Sequence, residues 1–125
     1  MMQATAAYNV YHPRCPSRLS FENMADKWVL YILDTLKTQP QHFNSLKKLI
    51  INISPKVLSQ KLKMLERDGF ISRTALDTRP IKVEYALTAL GEELAETAFQ
   101  FKLWAEGNMS RVLDAQHQYD VLQNA

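Results

Sequence analysis

The stretch Ser54-Pro55-Lys56-Val57-Leu58-Ser59-Gln60-Lys61-Leu62-Lys63-Met64-Leu65-Glu66-Arg67-Asp68-Gly69 decides the fold of this chain. Ser54 is a good N-cap, because its side-chain oxygen can accept a hydrogen bond from an unpaired N–H of the first turn. Pro55 suits the first helical position, where its missing N–H costs nothing. Leu58, Leu62 and Leu65 then recur at helical spacing on one face, and Asp68-Gly69 supplies the stop. The opposite face presents Lys56, Ser59, Gln60, Lys63 and Arg67. One face packs on a core, and the other offers cations and hydrogen-bonding groups to water or to a partner.

Upstream, Phe43, Leu46, Leu49 and Ile50 repeat at helical spacing over about two turns, which predicts a short helix before the Ile51-Asn52-Ile53 turn. Before it, Trp28-Val29-Leu30-Tyr31-Ile32-Leu33 is apolar almost all round and continues to Leu36, so it reads as a buried helix ended by Thr38-Gln39-Pro40. A shorter helix starts at Pro16, with Leu19, Phe21 and Met24 as its apolar residues. Residues 1–14 show no periodicity and read as a flexible N-terminal arm. Downstream, Ile71 to Leu76 contains the β-branched Ile71 and Thr74 but alternates poorly, whereas Val83, Tyr85 and Leu87 alternate cleanly with Lys82, Glu84 and Ala86. Asp77-Thr78-Arg79-Pro80 between them reads as the turn of a hairpin. Thr88 can cap a long helix running to about Glu106, which Gly107-Asn108 separates from a second helical piece over Ser110 to Leu122. The expected order is four helices, two strands and a C-terminal helix, an α+β fold.

The chain has 125 residues, enough for one domain and not two. Its longest apolar run, Trp28 to Leu33, is far short of the roughly 20 residues of a membrane span. The first ten residues carry no cation and no apolar stretch of the kind a signal peptide needs. Cytoplasmic location without membrane contact is the expectation. One cysteine excludes an intrachain disulfide framework, and His12, His42 and His117 are too scattered for a metal site. No glycine-rich phosphate loop is present and no cofactor is implied. No His-Asp or His-Asn pair accompanies Cys15, so a thiol enzyme is disfavoured and no catalytic residue is expected.

Charge is unevenly spread. The net is +2 overall. Residues 1–36 are neutral, whereas residues 37–82 hold Lys37, Lys47, Lys48, Lys56, Lys61, Lys63, Arg67, Arg73, Arg79 and Lys82 against only Glu66, Asp68 and Asp77, a net of +7. Residues 83–125 carry −5. A basic middle suits a polyanion. Two short helices joined by a tight turn and followed by a hairpin form a winged helix-turn-helix, whose second helix fits the major groove of duplex DNA. On this reading Ser54, Lys56, Ser59, Gln60, Lys63 and Arg67 face double-stranded DNA. Lys47 and Lys48 reach its backbone from the first helix, and Arg79 and Lys82 meet it from the wing. Ser59 and Gln60 can read base edges, and the lysines suit phosphates or guanine.

At these residues the sequence resembles the HxlR family of bacterial winged-helix transcriptional regulators. The resemblance rests on Cys15-Pro16, Lys27-Trp28, Phe43-Asn44-Ser45-Leu46, Ile53-Ser54-Pro55-Lys56-Val57-Leu58, Leu65-Glu66-Arg67-Asp68-Gly69 and Val83-Glu84-Tyr85-Ala86-Leu87-Thr88-Ala89-Leu90-Gly91, all in the family's order. It covers about residues 15–106. Two departures are Ala25-Asp26, where the family often has Gly-Gly, and Asn52, where it often has Gly. The resemblance implies a homodimer on an inverted-repeat operator, joined through N- and C-terminal dimerisation helices. It also raises oxidant or electrophile sensing at Cys15, as in some members.

The residues agree with a dimer. The helix from Thr88 shows one stripe at Leu90, Leu94, Ala98, Phe101 and Ala105 and a second at Ala95, Phe99 and Leu103, with Trp104 between. One stripe can cover the chain's own core, and the other needs a second surface. Residues 15–106 are thus expected to form the winged domain, and residues 107–125 a helical extension contributing to the dimer. Arg14, Arg18, His12 and a helix N-terminus near Cys15 all favour a thiolate. Two other readings remain. One is a ligand-responsive regulator of MarR or ArsR type, with a small-molecule effector in an apolar pocket that the dimer interface encloses, lined by Trp28, Phe99 or Trp104. The other is a winged-helix protein-interaction module, which would show exposed apolar residues on the second helix, where only Met64 qualifies.

Overall fold

The computed structural model describes residues 7–125. Its elements are α1 (Pro16–Met24), α2 (Lys27–Thr38), β1 (Gln41–His42), α3 (Phe43–Leu49), α4 (Pro55–Arg67), β2 (Ile71–Leu76), β3 (Lys82–Leu87), α5 (Ala89–Gly107) and α6 (Met109–Gln123). This is the winged helix-turn-helix expected from the sequence. The first six residues of the expected arm lie outside the described residues.

Local chemistry accounts for each boundary around α4. Ser54 Oγ accepts from Val57 N at 3.1 Å, and Pro55 occupies the first turn. At the other end Gly69 adopts a φ of +85°, while Gly69 N donates to Glu66 O and Phe70 N reaches back to Leu65 O. These two bonds form a Schellman stop, and they bring Phe70 beside Leu65 in the core. Asn52, in the turn between α3 and α4, has a φ of +74°. The position needs a left-handed backbone, which asparagine tolerates better than most residues. That explains why asparagine can stand where the family often has glycine.

The core is built from Val29, Ile32, Leu33 and Leu36 of α2, Leu46 of α3, Leu58, Leu62 and Leu65 of α4, and Phe70, Ile71 and Tyr85 around the sheet. Beneath α5, Gly91 is held against the core. A Cβ there would stand 1.8 Å from Phe70 O, so only glycine lets α5 start at this point. Thr88 fixes the same junction: its Oγ1 donates to Gly69 O and accepts from Gly91 N.

Three features differ from the sequence expectation. A third strand, β1, pairs antiparallel with β3 through Gln41↔Tyr85 and His42↔Glu84, giving the order β1-β3-β2. Two residues are too few to show an alternating pattern, so the pairing alone defines the strand. Helix α2 is not buried all round, since Tyr31 is 57% exposed. The stripes of α5 divide otherwise: Gly91, Ala95 and Ala98 are buried, while Leu90, Phe101, Leu103 and Trp104 are exposed. The buried line takes Ala95 from one expected stripe and Ala98 from the other, because α5 approaches α2 through its small residues and leaves the large ones outside. Helix α6, by contrast, is the second helical piece expected over Ser110 to Leu122, and none of its residues is buried.

Candidate nucleic-acid interface

Lys56, Gln60, Lys63 and Arg67 follow one another at spacings of four, three and four on α4, and all are exposed. They form the face opposite the buried leucines. Ser54, also exposed, uses a lone pair of its hydroxyl on the helix cap and keeps its O–H for an outside acceptor. Ser59 is half-buried. With Lys63 it lines a groove whose far wall is Arg73 of β2 and Tyr85 of β3, with Phe43, Leu62 and Glu66 completing it.

Arg73 is the site residue that the sequence reading passed over. Its signal was present, because Arg73 lies two residues from buried Ile71 and therefore on the same strand face. Tyr85 stands opposite it in the ladder. Of the expected site residues, only Ser59 and Lys63 line this groove. Lys47 and Lys48 occupy the last turn of α3, the end of a helix that favours cations. Arg79 sits in the exposed turn between β2 and β3, and Lys82 opens β3 opposite Leu76.

Among the described residues, none of these expected cations is held in an ion pair; nor is Arg73. The ion-paired cations are Arg18, Lys37, Lys61 and Lys102. The basic middle of the chain is thus mostly free to attract an anion. Lys61 differs from its neighbours: it lies on α4 but turns inward to Asp26.

Cys15 is the N-cap of α1 and is half-buried. Its Sγ lies 3.0 Å from Ser17 Oγ and accepts from Asn9 N at 3.3 Å. The Ser17 side chain first, then the backbone N–H groups of Asn9 and Ser17, hold the thiol below its ordinary pKa. Of the expected causes, the helix N-terminus acts through the Ser17 N–H. The flanking cations are not what lowers it, and Arg18 instead binds Tyr11 O and Glu22. His12 Nδ1 accepts from Arg14 N, so that ring belongs to the turn before the cysteine.

The three aromatics expected at an interface pocket have different surroundings within one chain. Trp28 is half-buried under Lys27, Phe99 lies beneath Lys37 and Lys102, and Trp104 is exposed. A cleft of about 390 Å³ does lie between α2 and α5, but Leu30, Tyr31, Ala98 and Phe101 form its apolar lining. No group of three His, Cys, Asp or Glu side chains suited to a metal occurs among the described residues. No helix among them is long and apolar enough to cross a membrane.

Comparison with known proteins agrees with this geometry. The profile of the HxlR-like helix-turn-helix family matches residues 23–113. The uncharacterized HTH-type transcriptional regulator YtfH of Escherichia coli (strain K12) is 37% identical over 84% of this chain and 83% of its own length. The solved structure of ytfH from Salmonella typhimurium superposes with a TM-score of 0.83 at 33% identity, covering 88% of this chain and 98% of that one. Diamide-treated YodB from Bacillus subtilis superposes with a TM-score of 0.64 at 31% identity, over 77% of this chain and 96% of its own. The chain belongs to the HxlR-like helix-turn-helix family and is a DNA-binding transcriptional regulator of that type.

Proposed function

We propose that this regulator binds an inverted-repeat DNA operator as a homodimer. Each α4 enters a major groove, with Gln60 and Ser59 at base edges and Lys56, Lys63 and Arg67 at phosphates or guanine. Ser54, Lys47 and Lys48 meet the backbone beside it, and Arg79 and Lys82 meet it from the wing. The observation that carries this reading is the row of exposed, unpaired cations on α4 and the hairpin, set on the side of α4 opposite its buried leucines. Residues 15–106 form the winged domain in this reading, with residues 1–14 as an arm.

The dimer reading rests on apolar surface that one chain leaves open. Leu19 and Phe21 of α1, Phe101 and Trp104 of α5, and Leu113 and Leu122 of α6 are all exposed. Together they exceed the scattered apolar residues normal for a monomer surface, and the 107–125 extension would contribute to closing them. Regulation through Cys15 is supported by its lowered pKa and by the likeness to a regulator solved in a diamide-treated form. The cleft between α2 and α5 favours a second reading, a small apolar effector in place of thiol chemistry.

The test is selection of duplexes from a random pool by the wild-type protein, with sedimentation at micromolar concentration. The expected result is twice the 14.4 kDa chain mass and selected sites with two half-sites about one duplex turn apart, roughly 34 Å. A monomer that selects single half-sites would contradict the dimer.

A further inference from the structure

Asp26 does two things with its two oxygens. Oδ1 caps α2, accepting from Trp28 N at 2.9 Å and Val29 N at 3.2 Å. Oδ2 accepts from Lys61 Nζ at 3.1 Å across 35 residues of chain. Both side chains are about a quarter exposed, at 25% for Lys61 and 27% for Asp26. Burial pushes the Asp26 carboxyl up, but the Lys61 hydrogen bond and charge and the two backbone N–H groups outweigh it and hold the carboxyl below its ordinary value.

The contact has a geometric consequence. Helix α4 is otherwise seated by Leu58, Leu62 and Leu65, and apolar packing is not directional. Lys61 lies between Gln60 and Lys63, so drawing it toward α2 sets the rotation that turns those two outward. Asp26 also follows the α1–α2 corner at Ala25, so one carboxylate joins that corner to the helix expected to read DNA.

We propose that Asp26 is a positioning residue for DNA reading: through Lys61 it fixes the rotational setting of α4. This rests on the reading of α4 as the helix in the major groove. A charge argument separates positioning from simple alternatives. Asp26→Asn keeps a cap acceptor but removes a negative charge, so electrostatics alone would raise affinity for any duplex. Positioning demands that affinity for the preferred sequence fall nevertheless.

The experiment uses the full chain and a duplex selected from a random pool by the wild type, beside a random-sequence duplex. Asp26→Asn and Lys61→Met should each lower the ratio of selected to random affinity by about tenfold, and the double variant should lower it by the same factor. Random-duplex affinity of Asp26→Asn should hold or rise. Three results would overturn the proposal: an unchanged ratio, a rise for both duplexes alike (Lys61 merely freed for phosphate), or a parallel loss for both that tracks a fall in melting temperature. If wild type selects no duplex, the α4 reading fails and the proposal with it. If a Lys56/Lys63 double alanine variant loses the selected duplex while Asp26→Asn keeps its ratio, the α4 reading stands and the proposal alone is overturned.

Discussion

Helices α4 and α6 are of similar length, 13 and 15 residues, yet the chain uses them in opposite ways. Helix α4 hides Leu58, Leu62 and Leu65 and shows water its polar side chains. Helix α6 hides nothing, and Met109, Val112, Leu113, Tyr119, Val121 and Leu122 remain exposed. One helix has its apolar partner within the chain. The other has apolar residues in number and, among the described residues, nothing that buries them. The contrast separates a face completed by folding from a face left open, and it fits the proposal that DNA meets the first element and a second copy the last.

The largest expected effect sharpens that contrast. Leu62→Ala should cost about 2–5 kcal/mol of folding stability, since it empties a fully packed site. Leu113→Ala should stay within about 0.5 kcal/mol in dilute protein, where the chain is dissociated, and should weaken self-association instead. Denaturant titrations at two protein concentrations check both. Equal losses at low concentration would mean that α6 belongs to the monomer's fold and would remove the contrast.

A smaller effect belongs to Cys15. Its thiol is held low chiefly by the Ser17 hydroxyl, so Ser17→Ala should move the midpoint of alkylation against pH upward and slow the reaction at neutral pH. Diamide should change operator binding by the wild type, and Cys15→Ser should abolish that response while keeping basal binding. Equal responses from wild type and Cys15→Ser would take the cysteine out of regulation and favour an effector in the α2–α5 cleft.

The legibility of the sequence follows the same division. Around α4 every boundary could be read beforehand, because Ser54, Pro55 and Gly69 act on their own few residues and the leucine spacing reports a face that one chain buries. Strand β1 could not, because its two residues are strand only by pairing with β3. The stripes of α5 were misdivided for a related reason. Helical spacing shows which residues share a face, but the choice of Ala95 and Ala98 over Phe101 depends on how closely α2 can approach. Arg73 was passed over because an irregular β2 hid which face it shared with Ile71. Asp26 stood out as a departure from the family pattern, but its bond to Lys61 spans two helices that no local pattern connects.

The most direct test of the account is the salt dependence of duplex binding by the wild type and by a Lys56/Lys63 double alanine variant. With some six phosphate contacts across the dimer, wild-type affinity should fall by about 10³ between 50 and 200 mM salt. The variant should bind its selected duplex more weakly and with a shallower salt slope. A variant that binds with wild-type affinity and slope would contradict the placement of α4 on DNA.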